Sequence, residues 1–279
     1  MTEPVLQSQP VSDVLAEEVL ASLSQGRQIT PLTGRHDGLD LPDAYRVTAA
    51  VRRLREARGE RVVGRKIGFT NRTIWDEYGV HAPIWGYVHD TTLHDLADLG
   101  GSFSLSGVVE PRIEPEIAFG LARAPDAGMS ERELLGCVAW VAHGFEVVQS
   151  LFPGWRFQAA DTVAAFGLHG ALLLGPRVEI QRSDIDLWYE RLASFEITLL
   201  RDGVAADHGR ASNVLGGGPL AALHHLVQVL AADRTAPPLA PGEVVTTGTL
   251  TRALPIRPSE RWSTQPGAID LGGIDVAFT

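Results

Sequence analysis

Two glutamates stand one residue apart in the segment RIEPEIAFG, which covers residues 112–120. Side chains alternate along a β-strand, so Glu114 and Glu116 would point to one face while Ile113 and Ile117 point to the other. The apolar face predicts that this strand is buried. Two buried carboxylates on one face must share a proton, pair with Arg or Lys, or bind a cation.

The residues alone leave the partner of this carboxylate pair open. Arg112 falls on the same strand face and offers an ion pair. A third carboxylate would favour a divalent cation, because hard cations prefer oxygen ligands and Mg²⁺ commonly keeps waters beside a few carboxylates. Glu146, in the apolar segment GFEVVQS, is the candidate for that third ligand.

A lysine lies between two glycines in the predicted strand VGRKIGFT. Gly64, Lys66 and Gly68 share one strand face, and the glycines leave space around the lysine head group. A sheltered lysine can have a lowered pKa and can transfer protons. The alternative is a surface lysine on an edge strand. His36, in an early loop, is either an acid–base group or a solvated loop histidine.

Other common types of site find little support. Zinc is disfavoured because there is no HExxH motif, and because His224 and His225 are adjacent on a helix and cannot share a face. The single cysteine, Cys137, excludes an intramolecular disulfide and a thiolate site. No GxSxG nucleophile motif occurs. The triple glycine at 216–218 lacks the residues that complete a phosphate-binding loop.

The composition is that of an ordinary globular protein. The 279 residues are 44% hydrophobic and 21% charged, and the formal net charge is −10. An acidic balance of this size argues against binding to nucleic acid or to an anionic membrane. No apolar stretch reaches the roughly 20 residues of a membrane span, and the start shows no secretory signal. We therefore expect a cytoplasmic protein.

Helices are predicted near the start of the chain. Residues 12–25 repeat apolar side chains at helical spacing, with Ser12 as the predicted cap. Residues 42–57 predict a second helix, with Pro42 near its first turn. A third is expected over 219–231.

Strands dominate from about residue 61 onward, and segment 130–148 is expected to change from helix to strand near Gly144. The chain is therefore predicted to be an α+β protein. We divide it into an N-terminal helical and β lobe over 1–100 and a metal-binding, β-rich catalytic core over 101–279, which together form one catalytic unit.

The landmarks together resemble the 2-keto-4-pentenoate hydratases and 4-oxalocrotonate decarboxylases of the fumarylacetoacetate hydrolase superfamily. The similarity runs from about residue 30 to the end of the chain. It is carried, in chain order, by GRH ending at His36, VVGRKIGFT, PRIEPEIAF, GFEVVQSLFPGW followed by DTVA, VLGGGPLAAL and PGEVVTTGTLT.

The resemblance implies a core built as a mixed, distorted β-barrel or roll, and a homo-oligomer. It implies that Glu114, Glu116 and Glu146 bind Mg²⁺ or Mn²⁺, and that Lys66 transfers protons with the assistance of His36. A 2-oxo acid can chelate such an ion through its carboxylate and 2-oxo oxygens, and the ion then stabilises the developing enolate.

The chain departs from the family pattern at the predicted pocket. Ile84 stands where hydratases usually carry an aspartate linked to water addition, and the Pro-Ile-aromatic-Gly pattern around it is closer to the decarboxylases. After the DTVA motif, which contains Asp161, relatives continue with polar residues, whereas Phe166 and Leu168 are apolar. These four residues, with Thr249 of the TTGTL segment, are the predicted substrate-binding residues.

We therefore expect a metal-dependent hydratase that adds water to a 2-hydroxydienoate or 2-oxo-4-enoate and gives a 4-hydroxy-2-oxo acid. The alternative is a 4-oxalocrotonate-type decarboxylase. Two further alternatives are an acylpyruvate C–C hydrolase, in which His36 would pair with Asp37 or Asp40, and a non-catalytic partner subunit. The last is disfavoured because three buried glutamates and a lysine are costly without a metal.

Overall fold

A computed structural model describes residues 10–233 and 235–279. Within them the chain forms seven α-helices, which are α1 Val11–Gln25, α2 Leu41–Ala57, α3 Trp75–Tyr78, α4 Glu131–Leu135, α5 Ala159–Ala164, α6 Ile185–Ser194 and α7 Pro219–Ala232. None of these helices is both long and apolar enough to cross a membrane.

The described residues also form thirteen β-strands. They are β1 Val62–Gly68, β2 Ile84–His89, β3 Leu93–Asp95, β4 Ser102–Phe103, β5 Arg112–Leu121, β6 Val138–Val148, β7 His169–Glu179, β8 Glu196–Arg201, β9 Val204–Arg210, β10 Val244–Thr246, β11 Leu254–Pro255, β12 Arg261–Gly267 and β13 Asp275–Phe278.

The strands build two sheets. The larger has eight strands in the order β2-β1-β10-β5-β6-β7-β3, with β11 pairing separately with β5. The smaller has five, in the order β4-β13-β12-β8-β9. Parallel and antiparallel pairs are mixed in the large sheet, which confirms the predicted α+β class. Because β1, β2 and β3 belong to the large sheet, this sheet crosses the predicted boundary at residue 100.

The predicted N-terminal helices are present, but one predicted cap is wrong. Helix α1 begins at Val11, so Ser12 already lies inside the first turn and makes no capping hydrogen bond. Pro10 occupies the cap position instead. Helix α2 is capped by Asp40, whose carboxylate accepts the backbone N–H of Asp43 at 2.9 Å. An oxygen before the first turn can reach these free N–H groups, and one inside it cannot.

The change from helix to strand comes earlier than predicted. Helix α4 ends at Leu135 and β6 already begins at Val138, well before Gly144. The reason is tertiary, because β6 pairs with β5 on one side and β7 on the other along most of its length. These two ladders outweigh the weak helix preference of the local sequence.

The loop after β10 is pressed against the strand that carries the first two glutamates. Strand β10 covers only Val244–Thr246. The backbone N–H groups of Thr247 and Leu250 then donate to the carbonyls of Ile117 and Pro115 in β5. This loop thereby becomes one wall of the site described below.

Candidate metal centre

Strand register brings the three predicted ligands together. In the antiparallel pair β5–β6, Glu114 lies directly opposite Glu146, and Glu116 follows two residues along β5 on the same face. One carboxylate oxygen from each of the three lies within 4.8 Å of the others. A slip of one residue in either strand would turn its glutamates to the other face.

The cluster is largely shielded from solvent. Glu116 and Glu146 are fully buried, and Glu114 is 9% exposed. Burial raises the pKa of Glu116 well above its usual range, and the charges of Glu146 and Glu114 add to the effect. Burial likewise raises the pKa of Glu114 to about 7, although Lys66 acts in the opposite direction. Without a cation, these side chains therefore hold protons at a pH where glutamates are normally ionised.

Lys66 supplies the positive charge inside this cluster. Its Nζ lies 3.2 Å from Glu146 Oε2 and donates to the Gly167 carbonyl at 2.9 Å. The residue is 2% exposed on a strand that is paired on both sides, which excludes the alternative of a surface lysine on an edge strand.

The pKa of Lys66 is shifted in the direction opposite to the one expected from burial alone. Burial lowers the pKa, but the charges of Glu146, Glu114 and Glu116 outweigh it, so the pKa is raised. For Glu146, burial is outweighed by the charge of Lys66 and the hydrogen bond from His169, so its pKa is lowered. Lys66 is thus a protonated acid facing an ionised carboxylate.

A feature of composition singles out Lys66. It is the only lysine among 279 residues, and every other strongly basic side chain is an arginine. Arginine cannot give up its proton near neutral pH, whereas a lysine amine can. The single lysine is therefore the strongly basic side chain that can transfer a proton, and it lies inside the glutamate cluster.

Arg112 makes no direct ion pair with the three glutamates among the described residues, although its charge acts to lower the pKa of Glu114. Its guanidinium lies over the ring of Trp155, 4.3 Å from the centroid, and also hydrogen-bonds to the Tyr78 hydroxyl. Its ion pair is with Glu77, at 3.7 Å. Arg112 therefore supports an aromatic wall beside the site.

Each fully buried glutamate is anchored through one oxygen. Glu116 Oε2 accepts the backbone N–H of Gly248 at 2.9 Å, and Glu146 Oε1 lies 2.7 Å from His169 Nδ1. Within residues 10–233 and 235–279, Glu116 Oε1 and Glu146 Oε2 are buried without a hydrogen bond, apart from the ion pair between the latter and Lys66.

The surroundings of these two oxygens indicate whether a cation fits the cluster. Buried carboxylate oxygens are costly unless a donor or an ion satisfies them. Three carboxylates that converge from two strands form the all-oxygen donor set that hard divalent cations prefer. The residues present therefore fit a hard divalent cation.

Gly248 is required for the anchor of Glu116. Its φ is +87°, and a Cβ would lie 1.9 Å from Thr70 Oγ1. We expect Gly248→Ala to lower the free energy of unfolding by at least about 3 kcal/mol, because the loop must move off β5. Gly242 also has a φ of +87° but has open space around its Cβ position. Gly242→Ala should therefore cost only about 1 kcal/mol. Equal losses in urea unfolding would show that the contact is unimportant.

A left-handed turn fixes the head group of Lys66. Phe166, Gly167 and Leu168 have φ values of 64°, 65° and 61°. Non-glycine residues adopt this region at a cost of about 1–2 kcal/mol each, and such strain clusters at functional sites. The turn aims the Gly167 carbonyl at Nζ, and a Cβ at Gly167 would lie only 3.0 Å from Lys66 Cδ.

A mainly apolar pocket reaches Lys66 and Glu114. Its other lining side chains come from β1, the segment that follows it, β6 and the loops on either side, and they include Phe69, Ile74, Tyr78, Val148, Trp155, Leu168, Thr249 and Ala253. Leu168 and Thr249, both predicted to bind substrate, thus face the pocket. Ile84 lies opposite Gly68 in the β1–β2 pair, with its Cγ1 3.4 Å from the position of a Gly68 Cβ.

Two of the predicted substrate-binding residues point elsewhere. The ring of Phe166 packs against Tyr87 and His89, at centroid distances of 6.2 and 5.3 Å. The Asp161 carboxylate accepts the N–H and the hydroxyl of Thr33, at 2.9 and 2.7 Å, and the N–H of Gln158 at 2.8 Å. Asp161 therefore ties helix α5 to the turn at residues 32–34.

His36 lies outside the pocket lining. It is partly exposed and borders a surface groove near the start of α1, together with Arg35 and Asp37. The structure thus brings Lys66 and the three glutamates together, and places His36 on a separate groove. Its assisting role stays a prediction.

Sequence reasoning did not identify His169. Its buried ring lies between Glu146 and Thr92, with Nε2 2.9 Å from Thr92 Oγ1. A signal was present, because this histidine opens the otherwise apolar strand segment HGALLLG. Its contact with Glu146 depends on how β6 and β7 pair, where Val148 is opposite His169.

The chain is similar to curated enzymes over nearly its whole length. No protein-family model matches the chain. It is 32% identical over 249 residues to 2-hydroxyhexa-2,4-dienoate hydratase of Comamonas testosteroni, covering 88% of this chain and 90% of that protein. It is also 32% identical over 267 residues to 2-keto-4-pentenoate hydratase of Burkholderia vietnamiensis, covering 95% and 96%.

Solved structures share the fold. The 4-oxalocrotonate decarboxylase of Pseudomonas putida G7, in complex with magnesium and adipate, superposes with a TM-score of 0.85 at 24% identity, covering 96% of this chain and 97% of that one. Fumarylpyruvate hydrolase of Pseudomonas aeruginosa, in complex with Mn²⁺ and pyruvate, gives 0.52 at 14% identity and 77% and 88% coverage. The predicted fold type is thereby confirmed. With the sequence identities to the curated hydratases over nearly the whole chain, the protein belongs to the 2-keto-4-pentenoate hydratase family of enzymes.

Proposed function

We propose that this protein adds water to a 2-hydroxydienoate or its 2-oxo-4-enoate form and releases a 4-hydroxy-2-oxo acid. The observation that carries the proposal is the closed cluster of Glu114, Glu116 and Glu146 with Lys66 Nζ 3.2 Å from Glu146. The identity to curated hydratases favours water addition among the reactions that such a cluster supports.

The three glutamates are the proposed holders of Mg²⁺ or Mn²⁺. When bound, the ion supplies an electrophile for the carboxylate and 2-oxo oxygens of the substrate and stabilises enolate charge. Among the described residues, Glu116 Oε1 has no hydrogen-bond partner and Glu146 Oε2 meets only the Lys66 ammonium, and both observations support this assignment.

Lys66 is the proposed proton carrier. Its ammonium is held by the Gly167 carbonyl and Glu146, so it can deliver a proton to the terminal carbon of the dienol while the 2-hydroxyl loses one. Water then adds to carbon 4, and carbon 3 takes a proton. The protons lost from the two oxygens balance those gained by carbon, and they restore the ammonium of Lys66.

The apolar pocket lining has two proposed tasks. Phe69, Ile74 and Leu168 offer dry contact to a hydrocarbon tail. Exclusion of bulk water also strengthens the electrostatic effect of the cluster on the reacting oxygens. Leu168 and Thr249 are thus the proposed substrate contacts with the clearest placement.

A second candidate is decarboxylation of a 4-oxalocrotonate-type acid. Ile84 favours it, since an apolar side chain stands at the position of the hydratase aspartate. Among the described residues of the pocket lining, only Lys66, Glu114 and Tyr78 can exchange protons. Burial raises the pKa of Tyr78, so its hydroxyl stays protonated near neutral pH and is not available as a base.

Product analysis separates these reactions. Purified protein with Mg²⁺ is given freshly generated 2-hydroxypenta-2,4-dienoate and, separately, 4-oxalocrotonate, and NMR follows both. We expect a 4-hydroxy-2-oxo acid from the first substrate, lost when EDTA is added. Release of CO₂ from the second with no hydration of the first would replace the hydratase proposal by the decarboxylase. The predicted homo-oligomer and cytoplasmic location stay predictions.

A further inference from the structure

We propose that His169 is a positioning residue that orients Glu146 and thereby sets the affinity of the centre for a divalent cation. This inference rests on the metal centre of the proposed function. It concerns a residue outside the three glutamates, and it is carried by a continuous chain of short contacts from Thr92 to Glu146.

The contact between His169 and Glu146 is close and dry. Nδ1 of His169 lies 2.7 Å from Glu146 Oε1, and the two residues are 3% and 0% exposed. Hydrogen bonds to an ionised carboxylate are among the stronger ones in proteins. At this distance and burial, water does not compete for the carboxylate oxygen.

The partners define which nitrogen of His169 carries hydrogen. An ionised carboxylate only accepts, so Nδ1 is the donor whether the ring is neutral or cationic. Nε2 of His169 lies 2.9 Å from the Thr92 hydroxyl, which also lies 3.1 Å from the His89 carbonyl as a possible acceptor. Thr92 is itself fixed, since its N–H donates to the His89 carbonyl and its carbonyl accepts from Leu172 of β7.

Two anchors of the same design therefore hold the two fully buried glutamates. The Gly248 N–H donates to one oxygen of Glu116, and Nδ1 of His169 donates to one oxygen of Glu146. In both cases the second oxygen is left for the cluster. Without its anchor, Glu146 would be free to turn toward Lys66 and would leave Oε1 buried without a donor.

The orientation of a carboxylate ligand matters for affinity. Groups that hydrogen-bond to metal ligands typically change metal affinity by about 10- to 100-fold when they are removed. A loss in this range is expected for His169→Ala. Because the ligands themselves remain, turnover should return when the ion is supplied in excess.

Calorimetric titration of metal-stripped protein with Mn²⁺, without substrate, tests the proposal. His169→Ala should weaken binding about 10- to 100-fold. His169→Asn should stay within about threefold of the parent, because its amide nitrogen occupies the position of Nδ1 and can donate to Glu146. His169→Gln should resemble alanine, because its amide extends beyond that position.

His89 provides the matched control. It is fully buried, and both of its ring nitrogens lack a hydrogen-bond partner in the described part of the chain. His89→Asn removes an equally buried imidazole without touching Glu146, so the affinity for Mn²⁺ should not change. Circular dichroism checks that each variant is folded.

The outcomes are distinct. Unchanged affinity in folded His169→Ala, or equal weakening in His169→Ala and His169→Asn, overturns the proposal, because packing alone would then explain the residue. Should alanine fail to fold, the contrast between asparagine and glutamine decides. If the parent binds Mn²⁺ with this pattern and forms no hydrated product, the proposed reaction fails while the role of His169 stands. If the parent binds no Mn²⁺, the role of His169 fails as well.

Discussion

Replacing Glu116 by glutamine is expected to abolish turnover and to weaken Mg²⁺ or Mn²⁺ binding beyond detection, while making the metal-free protein more stable. Glutamine has the same shape, so its carbonyl oxygen can still accept the Gly248 N–H. Its NH₂ group would then face the cluster and donate to the other carboxylates. The variant therefore exchanges a cation ligand for a hydrogen-bond donor inside the same fold.

The gain in stability follows from the pKa of Glu116. Burial and the neighbouring carboxylates raise that pKa in the folded protein above its unfolded value. A carboxyl group with a raised folded pKa favours folding at low pH, and this contribution is lost as the pH rises above the unfolded value near 4.5. At pH 8 the substitution should add about 1–3 kcal/mol to the free energy of unfolding in EDTA.

Urea unfolding of both proteins at pH 5 and pH 8, with EDTA present, measures this effect. The pKa of Glu114 is about 7, so the free energy of unfolding of the parent should fall as the pH rises through this value. The fall should be smaller in Glu116→Gln, which has one ionisable group fewer in the cluster. Glu196→Gln, at an exposed position on β8, is the control and should leave both stability and metal binding unchanged. Metal binding and turnover in Glu116→Gln would refute the assignment of the site.

Replacing Lys66 by methionine is expected to lower kcat by about 100- to 10,000-fold while metal binding is retained. Methionine fills most of the space of the lysine stem but cannot deliver a proton. The ligands Glu114, Glu116 and Glu146 remain. Titration with Mn²⁺ and single-turnover kinetics separate these two effects.

The variant Lys66→Arg separates the effect of the positive charge from the effect of the transferable proton. It keeps a positive charge beside Glu146, so the metal-free protein should be more stable than Lys66→Met at pH 8. Its guanidinium does not exchange a proton near neutral pH, so the rate should fall as in methionine. A rate near that of the parent in either variant would show that another group carries the proton.

The single lysine offers a direct readout of its protonation. Because Lys66 is the only lysine, a protein labelled with ¹⁵N-lysine gives one Nζ resonance. Without metal, this resonance should report an ammonium to well above neutral pH, in line with the raised pKa that the three glutamates cause.

The sequence by itself determined the features that depend on neighbours along the chain. The alternation of a strand places Glu114 and Glu116 on one face, and the same period places Lys66 on one face with two glycines. Helical spacing located α1 and α2 to within a residue. The family landmarks extend over most of the chain, and the curated relatives confirm the enzyme family that they indicated.

Only the tertiary structure decided which distant groups meet. The β5–β6 register places Glu146 opposite Glu114, and the position of β1 within the sheet makes Lys66, rather than Arg112, the counter-charge. The β6–β7 pairing brings His169 to Glu146, which no local pattern specified. Side-chain direction within one strand is a local property with a period of two residues, whereas register and burial depend on pairs far apart in the sequence. The pKa of Lys66 likewise depends on the tertiary structure. Whether this pKa is raised or lowered is decided by how many carboxylates the folded sheet places around the amine.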